Sequence, residues 1–94
     1  MPSAAASHIL VKTEKEALDL KAKIAGGTAF ESLAKQHSLC PSGKGGGSLG
    51  SFKPGQMVRE FDAVVFGAIP VGQVSEPVKT QFGYHLVRVD QRVQ

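Results

Sequence analysis

The sequence has one cysteine, Cys40, and no tryptophan. A single cysteine excludes any intrachain disulfide, so stability has to come from packing, and a reducing, cytoplasmic compartment is the simplest expectation. Long apolar runs are also missing. The longest, Ala63–Phe66, is far short of the roughly 20 residues of a membrane span, so no membrane partner is expected. The start, Met1-Pro2-Ser3-Ala4-Ala5-Ala6-Ser7, has neither a basic segment nor a long apolar stretch and does not read as a secretory signal. Concentrated charge is absent as well. The formal net charge is +3, but the eleven basic residues are scattered from Lys12 to Arg92 with acids beside them, and no two are adjacent. Nucleic-acid modules gather positive charge on one face, often with stacking aromatics, so an obligate nucleic-acid partner is not expected.

What is present is ordinary globular composition, 41% apolar and 20% charged, in 94 residues. That length supports a single domain over 1–94, with its core over about 6–93, and a monomer is the default. His8-Ile9-Leu10-Val11 reads as a buried strand. Thr13-Glu14-Lys15-Glu16 is a capping box that predicts a helix to about Ala25, ended by Gly26-Gly27. Thr28-Ala29-Phe30-Glu31 reads as a second capping box, opening a shorter helix through about His37. From Ser38 to Gly47 the chain is rich in Pro, Ser and Gly, which predicts an unusually flexible loop without regular structure. Leu49–Phe52 reads as a short strand closed by a Lys53-Pro54-Gly55-Gln56 turn. Met57, Val58, Phe61, Val64 and Val65 have helical spacing over 57–66. Val74–Thr80 and Tyr84–Val89 predict a hairpin around Gln81-Phe82-Gly83. The order is β-α-α-β-α-β-β, helices around a small, mainly antiparallel sheet: an α/β domain of the α+β kind.

Several chemical motifs can be weighed. Gly45-Gly46-Gly47-Ser48-Leu49-Gly50 matches the spelling of a dinucleotide fingerprint, but a Pro-Ser-Gly loop precedes it and a strand follows, so the match is spurious and no cofactor is expected. His37 and Cys40 have the spacing of half a metal site. A structural zinc site offers two close pairs and only one exists, so no metal is expected. Cys40 with His8 or His85 could suggest a cysteine hydrolase, but no signature of such an enzyme surrounds Cys40. His8 and His85 lie in strands near the two ends of the chain. Spacing alone leaves two readings open: buried histidines satisfied by backbone groups, or two imidazoles side by side if the terminal strands pair.

The ordered blocks of the chain resemble the parvulins, a family of small peptidyl-prolyl cis/trans isomerases, and most of all the short stand-alone bacterial type. The resemblance runs from about Ala6 to Val93. It is carried by His8–Val11, by Phe30–Leu33 with Ala34 and Ser38, by Cys40-Pro41-Ser42-Gly43-Lys44 leading to Gly47–Phe52, by Gly55–Val58 with Phe61, and by Glu76–Val78 with Thr80–His85. It implies a four-stranded antiparallel sheet surrounded by helices. It also implies rotation about Xaa–Pro bonds in unfolded or partly folded chains, by a non-covalent route. By resemblance, His8, Cys40, Thr80 and His85 form a hydrogen-bonded catalytic cluster. Leu49, Met57 and Phe61 form the proline-ring pocket, with Gln56 beside it and Phe82 at its rim.

That reaction breaks no bond and needs no cofactor. It has to lower a rotation barrier of roughly 18–20 kcal/mol, which desolvation in a dry pocket favours because the twisted amide is less polar than the planar one. Phosphate-directed parvulins carry a basic cluster on a longer loop after the first strand. Here Val11-Lys12-Thr13 runs into the capping box and leaves only Lys12 and Lys15 nearby, so an unmodified, apolar residue before proline is expected. Ser48 and Glu60 depart from the family's usual Asp and Pro. The alternative within the same fold is a peptide-binding or chaperone module with little turnover.

Overall fold

The computed structural model describes residues 3–57, 59–67 and 69–93. Seven elements follow in the expected order: β1 (Ser3–Val11), α1 (Glu14–Ala25), α2 (Phe30–His37), β2 (Ser48–Phe52), α3 (Arg59–Val65), β3 (Val78–Thr80) and β4 (Gly83–Val93). The sheet is antiparallel throughout, with strands ordered β2-β1-β4-β3. The two ends of the chain therefore form its centre.

β1 and β4 are longer than their apolar cores suggest, because each supplies the other's backbone partners from Ser3↔Val93 to Val11↔Tyr84. Where Ala5 pairs Gln91 and Ala6 pairs Val89, Asp90 is left as the extra residue of a bulge. Its carboxylate accepts from the Ser7 hydroxyl and the Arg88 Nε–H, both at 2.7 Å. Alternation then divides the sheet into two faces. Ile9, Val11 and Leu86 pack under α1 and α2 against Ala17, Leu20, Phe30, Leu33 and Ala34. On the other face Ala4, Ala6, Val87 and Val89 pack with Phe52 and with Phe61 and Val65 of α3. Arg92 fastens α3 over this second face, donating to the carbonyls of Val65 at 2.8 Å and Ile69 at 2.7 Å.

Thr13 caps α1 as predicted, its hydroxyl accepting the Glu16 amide at 3.2 Å. The returning Glu16 carboxylate meets the Thr13 hydroxyl and not its amide. The second capping box does not form. The N–H groups of Gly27 and Thr28 bond Ile24 and Lys23 carbonyls in closing α1, so α2 starts after Ala29 with no side-chain cap. Residues 38–47 are also not the loop without regular structure that their composition predicts. Pro41–Gly45 is a 3-10 helix closed by Gly46 at φ +82°. The glycines here allow close approach: a Cβ on buried Gly43 would stand 2.8 Å from the Ala34 carbonyl oxygen, and one on Gly47 2.5 Å from that of His8.

α3 begins at Arg59, two residues later than expected, so Met57 precedes the helix; Val58 lies outside the described residues. The strand expected over Val74–Thr80 is reduced to three residues plus an isolated Val74↔Arg88 bridge. Pro77 has no N–H to donate, and the Ser75 hydroxyl, not a backbone carbonyl, accepts from Val87 N–H at 3.1 Å.

Candidate active site

His8 and His85 emerge on the α3 face of the sheet from adjacent strands, His8 opposite Val87 and His85 opposite Leu10. This diagonal places the imidazoles nearly parallel, with centroids 5.1 Å apart at 13° and Nδ1 to Nδ1 at 3.0 Å. Of the two readings left open by spacing, the paired one holds. Phe61 lays its ring edge-on against both, at 5.3 and 4.9 Å. Both histidines are buried, at 4% and 3% exposure.

Their outer nitrogens are partnered too. His85 Nε2 lies 2.7 Å from Thr80 Oγ1, which also accepts the Phe82 N–H at 3.2 Å. His8 Nε2 lies 3.0 Å from Ser42 Oγ. Only one proton can occupy the gap between the two Nδ1 atoms. The row Ser42–His8–His85–Thr80 therefore runs in a single sense: each neutral imidazole donates at one nitrogen and accepts at the other. Burial, with the neighbouring His85 adding to it, holds the His8 pKa down to about 4. Burial also lowers that of His85, against a raising influence from Glu60. Both rings are neutral near pH 7.

Above this floor is a cavity of about 280 Å³ with a predominantly apolar lining. Leu49 of β2, Phe61 of α3 and Met57 of the preceding turn form its apolar walls, and Cys40 is half-buried at its side. Phe82 stands at the mouth, 61% exposed. Gln56 lines it as well, but its side chain is engaged locally, accepting the Lys53 N–H at 2.7 Å. The eight residues expected at the pocket and its floor other than Thr80 all border the cavity; Thr80 lies behind His85.

Three contributors were not singled out from sequence. Ser42 ends the polar row. Ser38 Oγ accepts both the Leu10 and the Cys40 N–H, at 3.1 and 3.3 Å, and so fixes Cys40 to β1. Asp62 accepts the Gly55 N–H at 2.7 Å and ties the Met57 turn to α3. Ser38 and Ser42 lie within the segments that carry the resemblance, which was the one available signal; a lone Asp on a short helix gave none.

The fold and this site define a class. Residues 4–91 match the rotamase family described as the PPIC-type PPIASE domain, and the chain belongs to it. Among curated proteins it is similar to the foldase protein PrsA of Geobacillus kaustophilus, 51% identical over 89 residues that cover 94% of this chain and 31% of that protein. The chain thus spans about a third of the length of such relatives. Among solved structures it is similar to the peptidylprolyl isomerase PrsA of Bacillus anthracis (TM-score 0.94, 40% identity, 99% of this chain and 43% of that one). It is similar along almost its whole length to NmPin, the parvulin of Nitrosopumilus maritimus, with a TM-score of 0.85 and 41% identity over 95% of this chain and 96% of that one.

Proposed function

We propose that the domain catalyses cis/trans rotation about Xaa–Pro bonds in unfolded or partly folded chains, without a covalent step and without a phosphate before the proline. The observation that carries the reading is the neutral, fully partnered histidine pair beneath an apolar cavity. Leu49, Met57 and Phe61 hold the proline ring in a dry setting, which favours the less polar twisted amide. Lowering the barrier by about 4 kcal/mol corresponds to roughly a thousandfold. Met57 suits a wall that has to follow a moving ring, being flexible and polarizable. His8 and His85 keep the floor in shape, their tautomers fixed by Thr80 and Ser42, and Cys40 tunes polarity near the swinging carbonyl. Gln56 and Phe82 border the bound peptide.

The absence of a phosphate requirement rests on the short β1–α1 connection, where Lys12 and Lys15 are exposed single lysines. Two-dimensional exchange NMR on Xaa–Pro peptides with Xaa as Leu, Glu or phosphoserine tests the proposal. Exchange cross-peaks strongest for Leu are expected. A preference for phosphoserine removes the substrate assignment, and binding without faster exchange removes the isomerase assignment.

A further inference from the structure

Next to the proline cavity lies a second one, larger at about 380 Å³, that the mechanism does not use. It is lined by Arg59, Glu60, Thr80 and Gln81. Thr80 links the two: its hydroxyl bonds His85 and Phe82, which border the proline cavity, while the residue itself borders this one. Glu60 precedes Phe61, which packs edge-on against both histidines, and Glu60 itself borders this second cavity. Phe82, exposed at the mouth of the first cavity, follows Gln81 directly. A chain seated over the histidine pair therefore has a neighbouring residue within reach of the second cavity.

The walls have a particular chemistry. Arg59 offers only donors, Glu60 only acceptors, and Gln81 both. Among the described residues neither Arg59 nor Glu60 makes an ion pair or a side-chain hydrogen bond, and both are exposed. A fully charged ligand group would be attracted by one and repelled by the other, two residues of opposite sign at one mouth. A neutral group with both a donor and an acceptor can satisfy both.

We propose that this second cavity is a subsite for a residue flanking the proline, selective for a neutral polar side chain of the carboxamide kind, with Arg59 and Glu60 as its specificity-determining residues. The inference rests on the isomerase reading above and adds to it the chemistry of the flanking residue.

The test compares kcat/KM for peptides carrying Gln, Glu or Lys on either side of the proline, on the native chain and on Arg59→Gln and Glu60→Gln. The native chain prefers Gln at one of the two flanks. Arg59→Gln raises the Lys-to-Glu ratio at that flank, and Glu60→Gln lowers it, each by about twofold to fivefold, the range of an exposed ion pair. Because each ratio is taken within one variant, a general loss of activity does not imitate it. Catalysis of all peptides with ratios unmoved in both variants overturns the subsite and leaves the isomerase reading standing. A ratio that moves in only one variant overturns the selectivity for a neutral group. Peptides that bind without faster exchange overturn the isomerase reading itself.

Discussion

Acidification from pH 7.5 to 5 perturbs the histidine pair before it reaches most carboxylates, and its effect can be worked from the site. His8 has its pKa lowered from 6.5 to about 4, mainly by burial and secondarily by His85. The unfolded chain therefore takes up a proton in a range where the folded one refuses it. Stability is complete above about pH 6.5 and declines as the pH falls toward 4. Lowering from 6.5 to about 4 corresponds to a limiting loss of roughly 3 kcal/mol, of which about 1 is reached at pH 6 and about 2 at pH 5. His85, also lowered, adds in the same direction. Glu31 is held low too, first by a backbone hydrogen bond and then by Arg88, but from an ordinary value of 4.5. Ending the comparison at pH 5 keeps its contribution small. The assay is urea unfolding at pH 7.5, 6 and 5, together with an NMR titration of the imidazole C–H resonances. For a domain whose whole stability is of order 5–15 kcal/mol, a loss of about 2 is a clear shift in midpoint. Isomerase activity in the same series stays level from pH 7.5 to 6 as far as it depends on His8, which remains neutral there. A His8 that titrates near 6.5 in the folded chain, or a stability unchanged between pH 7.5 and 5, would refute the reasoning.

Other perturbations separate the parts of the structure. Thr80→Val removes the hydroxyl that serves both Phe82 N–H and His85 Nε2; it costs about 1–3 kcal/mol of stability in urea and at least tenfold in kcat/KM, with a changed His85 tautomer ratio by 15N NMR. Gly47→Ala forces a Cβ onto the His8 carbonyl at φ +89° and loses roughly 2–5 kcal/mol. Gly50→Ala, at φ +72° with nothing within 4 Å, bears only the conformational cost of about 1–2 kcal/mol, and equal effects at the two positions would contradict the packing argument. Asp62→Ala frees the Gly55 N–H and the turn that carries Gln56 and Met57; KM rises severalfold with a smaller change in kcat, and stability falls by about 1 kcal/mol.

Features whose causes lie within a few residues are legible in the sequence. Thr13 and Glu16 cap α1 because a hydroxyl three residues before an amide is within reach wherever the chain goes afterwards. Gly27, at φ +110°, ends that helix for an equally local reason. The element order and the pocket residues were legible through blocks of sequence that match a family, not through periodicity, since Met57 and Phe61 at helical spacing are as compatible with core as with a pocket. Tertiary structure alone decided where local signals compete. Thr28 looks like a cap but is used in closing α1, and Gly43 and Gly47, within a stretch that reads as an irregular loop, serve a closely packed turn. It alone also joined His8 to His85, 77 residues apart, because a Nδ1 contact of 3.0 Å depends on the register of β1 on β4. A slip of one residue in that register would turn one imidazole to the opposite face, and no local stretch of sequence records which register the two ends of the chain adopt.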